Sequence, residues 1–153
     1  MNIAIVAVGR MRAGPEKQLF DSYISKTPWT VTTHEIEARG KGDAVAQAKQ
    51  EADGILSVLP QSAKVICFDS RGKTLTSEGL AQQLRQWRDD GEREIALVIG
   101  GADGLEGRVT QKADLILSFG AVTWPHMLMR VLVSEQIFRA HCILTGHPYH
   151  RGH

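Results

Sequence analysis

The sequence predicts an α/β domain with a mostly parallel sheet flanked by helices, on three observations. Short apolar runs alternate along the chain with segments of helical spacing, the pattern of strands joined by crossover helices. Several of these runs are apolar without interruption, as strands buried on both faces are. Three of them break into sharp turns carrying glycine or short polar residues, the place where open α/β sheets bind ligands.

Each element has its own signal. Ile3-Ala4-Ile5-Val6-Ala7-Val8 is a continuous apolar run stopped by Gly9, and predicts a core strand. Pro15 suits the first helical position and opens a helix to about residue 25, with Leu19, Tyr23 and Ile24 on one side. Residues 31–36 alternate and carry β-branched side chains, predicting a second strand. Over residues 43–59, Val45, Ala48, Ala52, Ile55 and Leu59 recur at helical spacing until Pro60 ends the helix. Gly54 weakens that helix locally. Lys64-Val65-Ile66-Cys67-Phe68 predicts a buried strand followed by a turn at Asp69-Ser70-Arg71-Gly72-Lys73. Thr76 or Ser77 can cap the next helix, which carries Leu80, Leu84 and Trp87 on one face and closes at Asp90-Gly91. Residues 95–99 and 115–119 predict two more core strands. The first runs into Gly100-Gly101-Ala102-Asp103-Gly104, the second into Gly120-Ala121-Val122-Thr123-Trp124-Pro125. A final helix spans about residues 126–145, before a tail of His147, Pro148, Tyr149, His150, Arg151, Gly152 and His153.

The 153 residues fit a single domain, 1–153, with 42% hydrophobic and 23% charged residues as in ordinary globular chains. No apolar run approaches the ~20 residues that cross a bilayer. No basic segment precedes the short apolar run at residues 3–8, so a cytoplasmic protein is expected. Cys67 and Cys142 lie in apolar surroundings and read as buried free thiols in a reducing compartment; core packing explains Cys142 better than a nucleophile does. The net charge of +1 lacks the basic excess of a stand-alone nucleic-acid binder. Any RNA contact would have to rest on a local patch or on help from a partner.

The last helix is apolar nearly all round, from Met127 through Leu132 and Ile137 to Leu144. Such a helix must be covered on two sides. The sheet covers one, and a second subunit on the other predicts a homodimer; a crossing loop is the alternative. The glycine turns at Gly100-Gly101 and Gly120 allow close approach of backbone to a ligand, or are simply tight strand-to-helix turns. Neither the dinucleotide fingerprint nor the phosphate-loop motif is present. The tail reads as a solvated end, or as donors and an aromatic closing over an unpaired base, with Tyr149 and His150 stacking and Arg151 on phosphate. A zinc site from the tail histidines lacks a Cys or acidic ligand nearby, and no metal is expected. Arg130 and Arg139 have RNA phosphate, a partner subunit or solvent open to them.

In combination these motifs resemble the RlmH family. The likeness is carried by Ile5-Val6-Ala7-Val8-Gly9, Phe68-Asp69-Ser70-Arg71-Gly72-Lys73 and Leu97-Val98-Ile99-Gly100-Gly101-Ala102-Asp103-Gly104-Leu105. Val122-Thr123-Trp124-Pro125-His126, the helix from Met129 to Ala140 and the tail His147-Pro148-Tyr149-His150-Arg151 complete it over essentially the whole chain. The resemblance implies a SPOUT-type fold with a C-terminal trefoil knot, a homodimer, and S-adenosylmethionine as cofactor. It implies methylation of N3 of a pseudouridine, the position-1915 type, in 23S rRNA of the ribosome. Carried onto matching positions, the cofactor-binding residues are Phe68, Gly100, Gly101, Phe119, Gly120, Ala121, Val122, Thr123, Trp124 and Pro125. The chain departs from the commoner family pattern at Ala102-Asp103, at Phe68 and at Trp124, which bears on the fine shape of the pocket.

Methyl transfer asks the protein to place the acceptor nitrogen and remove its proton. The candidates are His150 as proton acceptor, Arg130 as electrostatic stabiliser and Tyr149 orienting the base, with Arg139 and Arg151 on RNA. Two other readings are a non-enzymatic ribosome-binding module and a different nucleotide-cofactor α/β enzyme.

Overall fold

A computed structural model describes residues 1–37, 42–101 and 104–151. Ala102 and Asp103 of the glycine turn, and His153 of the tail, lie outside them. Five strands, β1 (Asn2–Val8), β2 (Thr30–Ile36), β3 (Lys64–Lys73), β4 (Glu94–Ile99) and β5 (Leu115–Leu117), form one parallel sheet in the order β2-β1-β4-β3-β5. The helices are α1 (Pro15–Lys26), α2 (Ala44–Val58), α3 (Ser77–Asp89), the single turn α4 (Gly107–Thr110) and α5 (His126–Thr145). Central β1 and β4 are buried almost throughout, whereas edge strand β2 is buried only at Ile36. That is the patterning difference between strands covered on both faces and an edge strand.

Two cores lie on opposite sides of the sheet. On one, Ile3, Ile5, Ile66 and Leu97 meet Phe20 of α1, Leu84 and Trp87 of α3, and Val133 and Ile137 of α5. On the other, Val6, Cys67 and Val98 meet Ala52 and Ile55 of α2 and Val109 of α4. Local chemistry starts and stops the helices. Pro15 opens α1, the Asp43 carboxylate accepts from the Ala46 N–H, and the Thr76 hydroxyl accepts from the Gly79 N–H. Ser77, the other candidate cap, instead bonds the Gln136 side chain at 2.8 Å. Gly146, with φ 71°, ends α5 as a left-handed cap.

Three details differ from the sequence expectation. The segment after Phe68 is not a free turn. Phe68 and Lys73 both pair with Leu117, so residues 69–72 bulge out of β3 before it rejoins β5. A Cβ on Gly72 would lie 2.6 Å from the Ile116 carbonyl carbon and oxygen, so only glycine fits that return. β5 is shorter than residues 115–119 because Ser118 bonds back to the Lys73 carbonyl and leaves the ladder. The third concerns α5, which rests on the sheet between α1 and α3 and buries Val131, Val133, Ile137, Phe138, Ala140 and Cys142 within one chain. Its apolar circumference is therefore largely satisfied by sheet and flanking helices, and does not by itself demand a second subunit.

Candidate active site

The carboxyl ends of β3, β4 and β5 open onto one cleft of about 740 Å³, within the range of small-molecule sites. Its apolar floor is Phe68, Ile99, Leu117 and Phe119, with the Phe68 and Phe119 rings edge to face at 5.2 Å. One wall is the β3 bulge, where Asp69 is held by Arg71 through side-chain bonds of 2.9 and 2.8 Å. The Arg71 hydrogen bond outweighs burial and keeps the Asp69 carboxyl below its ordinary range. The other walls are Gly100 and Gly101 and the segment from Ser118 to His126. That segment is braced internally. The Ser118 hydroxyl accepts from the Gly120 N–H at 3.1 Å, and the Trp124 indole N–H donates to the Phe119 carbonyl at 3.3 Å.

Nine of the ten expected cofactor residues line this cleft; Ala121 does not. An aromatic and aliphatic floor beside backbone amides at Gly100, Gly101 and Gly120 suits an adenosyl group, whose flat ring wants apolar faces and whose edge wants backbone donors and acceptors. The residues present thus fit S-adenosylmethionine.

The tail builds a second cluster, around a residue the sequence reading passed over. Glu135 Oε1 accepts from the Tyr149 hydroxyl at 2.8 Å and from Arg139 Nε at 2.9 Å. The Arg139 guanidinium also stacks over the Tyr149 ring, 4.7 Å from its centroid. Burial, then the Glu135 carboxylate, pushes the Tyr149 hydroxyl well above its ordinary pKa, so Tyr149 remains a donor. Arg139 Nη1 lies 3.0 Å from His150 Nδ1, and His150 Nε2 lies 2.8 Å from Glu78 Oε1. Arginine can only donate. Nδ1 is therefore the acceptor, and Nε2 carries the proton shared with Glu78. Arg151 is exposed beyond this cluster.

The structure places Arg130 elsewhere. Its side chain is 2% exposed, and it lines no part of the cleft. Nη1 donates to Glu35 at 2.6 Å, while Nη2 donates to the Val8 and Gly9 carbonyls at 3.1 and 2.5 Å. Nε is buried without a hydrogen-bond partner among the described residues. Burial alone would raise the Glu35 carboxyl, but the Met11 N–H, Arg130 and the charge of Arg10 together hold it below its ordinary value. Arg130 thus clamps the end of β1 to α5. Its guanidinium is engaged there and borders no part of the cleft.

The cleft and the tail cluster do not meet within one chain. His126 borders the cleft at the start of α5, and Arg139 lies thirteen residues further along, about 20 Å at helical rise. Of the residues that organise the tail, Glu135 was readable as an i, i+4 partner of Arg139. Glu78, 72 positions from His150, had no sequence signal.

A parallel α/β sheet with a cleft at its carboxyl edge and a final helix packed back over that sheet suits an enzyme that binds a small molecule between its strand ends. The family model described as predicted SPOUT methyltransferase matches residues 1–150. A protein named ribosomal RNA large subunit methyltransferase H from Rhodospirillum centenum is 47% identical over 151 residues, 99% of each chain. Its namesakes from Paramagnetospirillum magneticum and Ruegeria pomeroyi are 46% and 43% identical, again over 99% of both chains. A solved structure of a probable methylase family protein from Haemophilus influenzae shares the fold, with TM-score 0.57 and 14% identity over 98% of this chain and 70% of that one. The chain belongs to the SPOUT methyltransferase family and, within it, to the RlmH group of these relatives.

Proposed function

We propose that this protein transfers a methyl group from S-adenosylmethionine to N3 of a pseudouridine, of the position-1915 type, in the 23S rRNA of the ribosome. The observation that carries the reading is the cleft, where three strand ends bring nine expected cofactor residues together around a floor of two aromatic rings. The names of the full-length relatives support ribosomal RNA as the substrate. When bound, the cofactor supplies the electrophilic methyl group. Phe68, Phe119 and Trp124 exclude water around it, and the backbone at Gly100, Gly101 and Gly120 reads its polar edge. A trefoil knot through the segment before α5 belongs to the same reading, as does a cytoplasmic location.

A homodimer is part of the proposal. Val122, Trp124 and Leu128 are exposed at 64, 41 and 39% beside the cleft, while the tail cluster sits at the far end of α5. A two-fold arrangement with antiparallel α5 helices brings each cleft to the other subunit's tail. His150 is then the proton acceptor, through Nδ1, and Arg139 must leave that nitrogen for phosphate before it can act. Tyr149 orients the base as a hydrogen-bond donor and Arg151 contacts RNA. Arg130 takes a positioning role beneath the β1–α1 loop.

The test is mass spectrometry of 23S rRNA from cells lacking the gene, before and after incubation of their ribosomes with protein and S-adenosylmethionine. A gain of one methyl on the pseudouridine, lost in His150→Ala under single-turnover conditions, is the expected result. Absence of both transfer and any heat of S-adenosylmethionine binding overturns the enzymatic reading in favour of a ribosome-binding module.

A further inference from the structure

The loop between β1 and α1, residues 9–14, plays no part in the cofactor cleft, yet it is held more firmly than a connection needs. Arg130, buried near the start of α5, donates to the carbonyls of Val8 and Gly9. Glu35 at the end of β2 accepts both from Arg130 and from the Met11 N–H, each at 2.6 Å. Gly9 turns the chain at φ +100°. A Cβ there would meet His126 Nε2 at 3.8 Å and Met127 Cε at 3.5 Å, so the loop lies directly against the entrance to α5. His126 is also a wall of the cleft. The loop is thus a rigid shelf at the cleft's rim.

The shelf presents two arginines. Arg10 and Arg12 are both exposed. Among the described residues neither Arg10 nor Arg12 forms an ion pair; the charge of Arg10 acts at longer range on Glu35, whose carboxylate is already paired with Arg130. Elsewhere Arg71, Arg85, Arg88, Arg108 and Arg139 are each matched to a nearby carboxylate, and Arg93, which has no ion pair among the described residues, lies before β4 at the end of the sheet away from the cleft. Fixing a loop with a buried guanidinium, only to display two unmatched guanidinia beside a ligand cleft, suits a fixed anionic partner. With a net charge of +1, the chain has no general basic surface to hold a polyanion, so such contacts must be local and oriented.

We propose that the β1–α1 loop is a phosphate-contact site for the substrate RNA strand, with Arg10 and Arg12 as the contacts and the Arg130–Glu35 pair as the frame that aims them. The inference rests on the reading that RNA is the substrate. Arginine's planar fork matches phosphate oxygens, and contacts of this kind set register on the nucleic acid without reading its bases.

The test compares the full-length protein with the Arg10→Ala/Arg12→Ala and Arg10→Lys/Arg12→Lys variants on ribosomes from cells lacking the gene. Half-saturating ribosome concentration is measured by methyl transfer from labelled S-adenosylmethionine between 50 and 200 mM salt. Each lost phosphate contact removes about 0.7–0.9 from the slope of log affinity against log salt. The wild-type advantage over the double-alanine variant should therefore shrink by about tenfold across that range. The lysine variant should keep the wild-type slope, and cofactor affinity by calorimetry should be the same for all three. Parallel salt lines for wild type and the alanine variant overturn the inference while leaving the functional reading intact. Loss of cofactor binding in the alanine variant also overturns it, by assigning the loop to the cofactor site. No transfer by the wild type overturns the functional reading itself, and the inference with it.

Discussion

Replacing Arg130 with methionine keeps the length of the side chain and removes its guanidinium, which isolates the polar work it does. Three hydrogen bonds disappear, to Glu35, Val8 and Gly9. Bonds to a charged group contribute roughly 1.5–3 kcal/mol each. Against their sum stand the desolvation of a nearly fully buried cation and the buried, unpartnered Nε. Glu35 keeps 35% of its side chain exposed, so it can hydrate when abandoned. The loss then falls at the lower end of the ~3–5 kcal/mol typical of breaking a fully buried pair, about 3 kcal/mol. In urea unfolding at fixed protein concentration, with a slope of about 2 kcal/mol per molar, the midpoint should drop by about 1.5 M. Arg130→Lys should recover little, because a point-like ammonium cannot span two carbonyls and a carboxylate as the fork does. A midpoint within 0.2 M of wild type (about 0.4 kcal/mol at that slope), or full recovery by lysine, would show that the clamp contributes nothing specific.

Three further outcomes follow from the same geometry. Gly72→Ala should destabilise by roughly 1–3 kcal/mol and weaken cofactor binding, since its Cβ meets β5 backbone rather than a movable side chain; unchanged melting temperature and calorimetric affinity would refute this. Glu35, whose carboxyl is depressed below 4.5 in the fold, contributes stability that is present above its unfolded pKa and lost as pH falls through the folded value. The stability gap between wild type and Glu35→Gln should therefore narrow as pH drops below about 4.5, and a gap independent of pH in acid unfolding would contradict it. Cys67 and Cys142 are both fully buried, and burial followed by the charge of Asp69 pushes the Cys67 thiol up to about 12. A chromogenic disulfide reagent at neutral pH should find no reactive thiol in the native protein and both thiols in urea.

The extent to which this protein is legible in its sequence varies with the range of the interaction. The apolar runs of β1, β3 and β4, the proline start of α1 and the Thr76 cap depend on neighbours within about four residues, and each is where the sequence puts it. The strand-end turns that line the cleft belong to this class. A parallel sheet necessarily brings its strand ends to one edge.

What the fold alone decided depends on residues far apart in the chain. Arg130 read as an electrostatic stabiliser with RNA phosphate, a partner subunit or solvent open to it, yet it pairs with a carboxylate 95 positions away. Gly54 reads as a weak point in α2, but a Cβ there would come within 2.5 Å of Ile36 on the neighbouring strand, so the helix packs closer because of it. The bulge in β3 exists because Lys73 returns to pair with a strand more than forty residues on. The apolar α5 is covered within its own chain, and it is the separation between cleft and tail that leaves room for a second subunit. Periodicity and capping are properties of a local segment and survive in the sequence. Partners of charged side chains are set by packing, and only the assembled layers bring them together.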